Sequence, residues 1–194
     1  MAGNKIHSTG GFWLILGALL LAASLRLLVW VAVAAAVHEL GHLAAIRALG
    51  GRVDRFSLTG VGAVIRPRRE RVFTYGEECV VALAGPAASL ILAWVAAAWG
   101  RRFGGVDAYL LTGVSLALGV FNLLPAGPLD GGRVLRAVVT WLAGPSAGEG
   151  VCGFLTRGLA LGLAALGIWV LGKSGNFMLL LCAGWLLCRK EGAG

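Results

Sequence analysis

The sequence predicts an all-α polytopic membrane protein with about six transmembrane helices and one short β-hairpin. Three observations predict it. Of 194 residues, 58% are hydrophobic and only 13% charged, with a mean hydropathy of +0.84, whereas soluble chains carry about a quarter charged residues. The apolar residues fall in long runs bounded by arginines or by Gly and Pro, as spans of ~20 residues require. The 31 glycines, with many alanines, supply the small side chains on which membrane helices pack closely.

The elements follow in order. The apolar run from Phe12 continues past Arg26 to Leu49 without a small-x-small cleavage site. It therefore reads as two linked spans, about 12–25 and 27–49, rather than as a signal peptide. Residues 50–78 are the most polar part and hold Arg52, Arg55, Arg66, Arg68, Arg69 and Arg71. Within them, apolar positions on either side of Gly60-Val61-Gly62 predict two short strands, a β-hairpin over 53–65. A third span, about 79–99, contains Gly85-Pro86, which can kink or break its helix. A fourth, about 108–124, runs into Pro125-Ala126-Gly127-Pro128, which cannot be regular helix. Asp130-Gly131-Gly132 and an apolar stretch over 134–142 follow. A fifth span covers about 154–171, and its Gly158 and Gly162 form a GxxxG step read as a packing contact. A sixth covers about 177–187. The whole, 1–194, reads as a single domain. None of Cys79, Cys152, Cys182 and Cys188 stands in a CxxC pair, so they are expected to be packing residues, not disulfides or zinc ligands.

The net charge of +8 fits arginines that anchor loops. No cluster of aromatic and basic residues makes a nucleic-acid surface, so no nucleic acid is expected as partner. Six spans put both termini on one side. Arg26, Arg101, Arg102 and Lys173 fall on the other, and every remaining Lys and Arg falls with the termini. That excess predicts a multi-pass cell-membrane protein whose termini and Arg-rich loop are cytoplasmic.

His38-Glu39-Leu40-Gly41-His42 is an HExxH pattern inside the second span. Residues four apart share a helix face, so two imidazoles can reach one Zn²⁺ at about 2.0–2.1 Å. Glu39, beside them, can take a proton from a water at that metal. The chain has three histidines, and two of them are here. Burying two imidazoles and a carboxylate among apolar residues is costly and calls for partners. Polar groups that merely bond helices together would not demand this spacing.

A catalytic zinc site usually has three protein ligands and an open position. His7 precedes the first span. Asp54, Glu70, Glu77 and Glu78 lie in the polar loop, Asp107 beside Arg101 and Arg102, and Glu149 in a Gly-rich loop. Asp130 follows a Pro-Ala-Gly-Pro break that can line an interior cavity, and two glycines after it permit close approach. Asp130 is the expected third ligand; it is also a candidate helix N-cap, and the two roles are not exclusive. Asn122, in the same stretch, could hold an extended substrate backbone or a developing oxyanion. Equally, it could bond helices together.

With these residues together, the chain resembles the site-2 protease family of intramembrane zinc metalloproteases. The resemblance rests on His38-Glu39-Leu40-Gly41-His42, Ala84-Gly85-Pro86, Asn122-Leu123-Leu124-Pro125 and Leu129-Asp130-Gly131-Gly132. Order and spacing of the spans are similar to the stage IV sporulation (FB-type) subgroup, which has six. The resemblance implies zinc on His38, His42 and Asp130, Glu39 as base, and Asn122 near the substrate. It also implies a membrane-associated hairpin beside the site. Substrates of the family are membrane-spanning or membrane-tethered proteins, in that subgroup a sigma-factor precursor. Two departures limit it. The 194 residues leave no room for a PDZ or CBS domain, so control by one is not expected. Ser89 stands where many relatives have Asn.

Two other function classes fit less well. A metal transporter usually shows internal repeats with ligands in both halves, and none is visible. A dead membrane scaffold would not keep a full set of ligands and base.

Overall fold

The computed structural model of the chain describes residues 24–51, 53–59, 62–67 and 73–188, and only the backbone of the two strands, Met178 and Cys188. His7, the Gly60-Val61 turn and most of the first expected span lie outside these residues. The described residues form six helices and two strands: α1 (Leu25–Ala48), β1 (Val53–Thr59), β2 (Gly62–Pro67), α2 (Tyr75–Phe103), α3 (Val106–Asn122), α4 (Asp130–Ala143), α5 (Pro145–Ser174) and α6 (Met178–Cys188). The architecture is all-helical apart from that strand pair. Among the described residues, α1, α2 and α5 are long and apolar enough to cross a membrane, and α3 is a shorter apolar helix. The chain divides into two compact units, one through Phe121 and one from Asn122.

In the first unit, α1 begins where the Ser24 hydroxyl accepts the Leu27 N–H at 3.3 Å. Its buried residues are Ala34, His38, His42 and Ile46. These recur every four positions, so they form one stripe, while Leu25, Val29, Val31, Val33 and Leu40 stay exposed as a lipid-facing surface would. Strands β1 and β2 pair antiparallel, with Phe56 opposite Ile65 and Thr59 opposite Gly62.

Helix α2 opens on a capping box, Thr74 with Glu77, which satisfies two otherwise orphaned N–H groups. It carries Glu77 and Glu78 in its first turn and Arg101 and Arg102 in its last, each sign at the favourable end of the dipole. It runs unbroken through Pro86, whose ring is fully buried. The span is thus longer than the 79–99 expected, because the capping residues lie in a segment too polar to read as membrane. Gly104 and Gly105, both at positive φ, turn the chain into α3.

Helices α1 and α2 pack closely. A Cβ at Gly41 would lie 2.5 Å from the Ala84 carbonyl oxygen and 2.8 Å from Ala88 Cβ. Only glycine allows this approach, so Gly41 sets the spacing of the two helices at the HExxH turn. At the far end of the unit Asp107 accepts hydrogen bonds from Arg26 Nε at 2.6 Å and Trp30 Nε1 at 2.8 Å. That ties the start of α1 to the start of α3.

In the second unit, residues 134–142 belong to a full helix, α4, that starts at Asp130. Its 14 residues span roughly 21 Å, short of the ~30 Å of a bilayer core. Helix α5 starts at Pro145, not near 154, because its first turns are glycine-rich and pack on α4 instead of reading as apolar. A Cβ at Gly148 would lie 3.2 Å from the Arg136 carbonyl oxygen. The Cys152 thiol donates to the Gly132 carbonyl at 3.7 Å. Among the described residues, a Cβ at Gly158 or Gly162 of the GxxxG step meets nothing within 4 Å. Helix α5 closely approaches α6 at Gly167, where a Cβ would lie 3.0 Å from Leu180.

Candidate metal centre

His38 and His42 sit one turn apart on the buried stripe of α1, 5% and 7% exposed. Their Nε2 atoms are 3.2 Å apart, with the rings nearly perpendicular. Both Nε2 atoms therefore converge on one small volume. Their Nδ1 atoms are held from α2. His42 Nδ1 is 2.8 Å from the Val81 carbonyl oxygen, and His38 Nδ1 is 2.9 Å from Ser89 Oγ. A carbonyl only accepts, so His42 carries its proton at Nδ1 and presents a bare Nε2. Metal-binding histidines are commonly fixed this way, the second nitrogen donating to a carbonyl or other acceptor.

Position 85 completes the cradle. A Cβ there would overlap His42 Nε2 and lie 2.8 Å from its Cδ2. Gly85 is therefore the gap that admits the His42 ring. Val81, Gly85 and Ser89 follow at four-residue spacing on one face of α2: acceptor, notch, hydroxyl. Glu39 is half-buried on α1 next to the pair.

In the second unit Asp130 is 7% exposed and is the first residue of α4. Leu129, not Asp130, holds the N-cap position, and no side chain caps it. The N-cap reading is thus corrected: Asp130 is the first residue of the helix. Arg133 Nη1 donates to Asp130 Oδ1 at 3.3 Å. The two glycines after it are sterically required. A Cβ at Gly131 would overlap the Leu123 carbonyl, and one at Gly132 the Ala126 carbonyl. The Pro-Ala-Gly-Pro loop is folded tightly back on α4, with the Ala126 N–H donating to the Leu124 carbonyl and the Leu129 N–H to the Ala126 carbonyl, both at 2.8 Å. The buried Thr156 hydroxyl accepts the Gly127 N–H at 2.8 Å and clamps the loop to α5.

His38 and His42 of the first unit and Asp130 of the second are each buried, and each bears a metal-ligating group. Two imidazole nitrogens and a carboxylate oxygen form a donor set that fits zinc. Two of the other acidic residues considered from the sequence are engaged elsewhere: Glu77 in its capping box, Asp107 with Arg26 and Trp30. Asn122 ends α3, partly buried.

Sequence reasoning missed the roles of Val81 and Ser89. The signal available was the 81-85-89 spacing around the Gly-Pro step; which atoms it would meet was not legible.

Fold and site together define the class: a helical membrane protein with an HExxH metal centre. The chain belongs to peptidase family M50, whose profile matches residues 26–105 and 106–164. It is 29% identical to a zinc metalloprotease of Methanocaldococcus jannaschii over 86% of this chain and 46% of that one. It is 31% identical to stage IV sporulation protein FB of Bacillus subtilis over 68% of this chain and 46% of that one. The chain thus spans less than half the length of these relatives. Its fold matches a solved structure, the site-2 protease from Methanocaldococcus jannaschii, with a TM-score of 0.74 and 26% identity. The match covers 100% of this chain and 95% of that one.

Proposed function

We propose that the protein is a multi-pass intramembrane zinc metalloendopeptidase of site-2 type, cutting membrane-spanning or membrane-tethered proteins. The observation that carries this is the convergence of the His38 and His42 Nε2 atoms at 3.2 Å, each ring tied back through Nδ1. That arrangement has little purpose without a cation between the rings. Membership of the M50 family and relatives named as zinc metalloproteases support the same reading.

His38, His42 and Asp130 would hold the zinc. When bound, zinc lowers the pKa of a coordinated water and polarises a carbonyl oxygen. Glu39 takes the proton of the attacking water on its carboxylate and passes it to the leaving amine. Asn122 orients the substrate backbone or its developing oxyanion. Helical substrates hide their amides and must unwind locally. The β1–β2 hairpin would hold the unwound segment by strand addition at its edge. The apolar runs would make six spans, which put both termini on one side, and the excess of Lys and Arg there turns that side and the nearer face of the site towards the cytoplasm. All of it would work as one domain. A sigma-factor precursor is the substrate to try first, given the likeness to a sporulation protein.

The test is co-expression with membrane-tethered transcription-factor precursors, comparing wild type with Glu39→Gln. Cleavage by the wild type alone is expected; cleavage by both would refute the assignment of Glu39.

A further inference from the structure

We infer that Ser89 is the positioning residue for His38, fixing which ring nitrogen faces the metal. The inference rests on the zinc-site reading above and deepens it.

The argument starts from the two rings. A metal shared through both Nε2 atoms requires both rings to carry their protons at Nδ1. His42 meets this condition through a main-chain carbonyl, which no substitution of a side chain removes. His38 meets it through the Ser89 hydroxyl, whose Oγ lies 2.9 Å from its Nδ1. In that state the hydroxyl oxygen accepts, and the ring cannot turn over without losing the bond. The two imidazoles are therefore unequal: one is held by the backbone, the other by a side chain that can be exchanged.

The setting leaves Ser89 little freedom. It is 0% exposed, and a Cβ on Gly119 of α3 would lie 3.2 Å from Ser89 Cβ. Helix α3 thus passes close to Ser89 at Gly119.

The same unit supplies a control. Ser115 of α3 is also 0% exposed, and its hydroxyl has no hydrogen-bond partner. Ser89→Ala and Ser115→Ala remove the same atom from equally buried sites, but only the first removes a bond to a ligand. The experiment measures zinc affinity of the purified full chain by competition with a chromophoric chelator, and records the visible spectrum of the cobalt-substituted protein. Ser89→Ala is expected to weaken zinc binding by about 10–100-fold, the usual cost of removing such a partner, and to alter the cobalt spectrum. Ser115→Ala is expected to leave both unchanged. Wild-type affinity in Ser89→Ala, or an equal loss in both variants, would overturn the inference. A wild type that binds no zinc would instead sink the zinc-site reading itself, so the two failures are distinguishable.

Discussion

Gly85→Ala probes the metal cradle at its tightest point. The new Cβ would lie 2.8 Å from His42 Cδ2 and closer still to Nε2, against an ordinary contact of about 3.5–4.0 Å. The ring must therefore retreat from α2 by about 1 Å. His42 Nδ1 is now 2.8 Å from the Val81 carbonyl, on the same helix. The retreat stretches that bond towards ~3.8 Å, where it is no longer a hydrogen bond. Losing this partner should weaken zinc binding about 10–100-fold. A displacement of ~1 Å in a catalytic ligand should lower kcat/KM about 100-fold. Overpacking should cost stability of about 1–3 kcal/mol. The matched control is Gly158→Ala, where the added methyl meets nothing among the described residues. It should bind zinc and cleave normally, and be more stable by about 0.5–1 kcal/mol. Chelator competition, cleavage of a tethered substrate and thermal unfolding in detergent check all of this. Normal zinc affinity in Gly85→Ala would refute the reasoning, since it would mean the ring is not seated in that notch.

Gly132→Ala should be as damaging, because its Cβ would overlap the Ala126 main chain, which cannot swing aside as a side chain can. It should displace the loop beside Asp130 and lower bound zinc, while Gly150→Ala, which meets nothing, should not; elemental analysis of the purified variants decides. Glu39→Gln should lose cleavage yet keep one zinc per chain by the same analysis, since Glu39 is a base and not a ligand.

Local features of the site were legible in the sequence because they follow from helical period. His38 and His42 lie on one face whatever surrounds them. Asp130 stood out through the proline break and the glycines after it, and those glycines do accommodate a folded-back main chain. What could not be read was tertiary. That Ser89 and Val81 meet the rings depends on the pitch at which α1 and α2 pack, set by Gly41 against Ala84 and Ala88. The GxxxG step at Gly158 has no close neighbour among the described residues: a small-residue pattern permits close approach but does not say where a neighbour lies. Helices run beyond the expected spans where they leave apolar sequence: α2 reaches back to a polar capping box, α5 back to Pro145, and α4 starts at Asp130, ahead of the apolar stretch over 134–142.

The central claim is that one zinc ion is held by His38, His42 and Asp130. An anomalous difference map at the zinc edge, from crystals of the wild-type protein, tests it most directly. The account predicts a single peak about 2.0–2.2 Å from His38 Nε2, His42 Nε2 and an Asp130 carboxylate oxygen. A peak that engages the Nδ1 atoms, or that leaves Asp130 out of coordination, would contradict it.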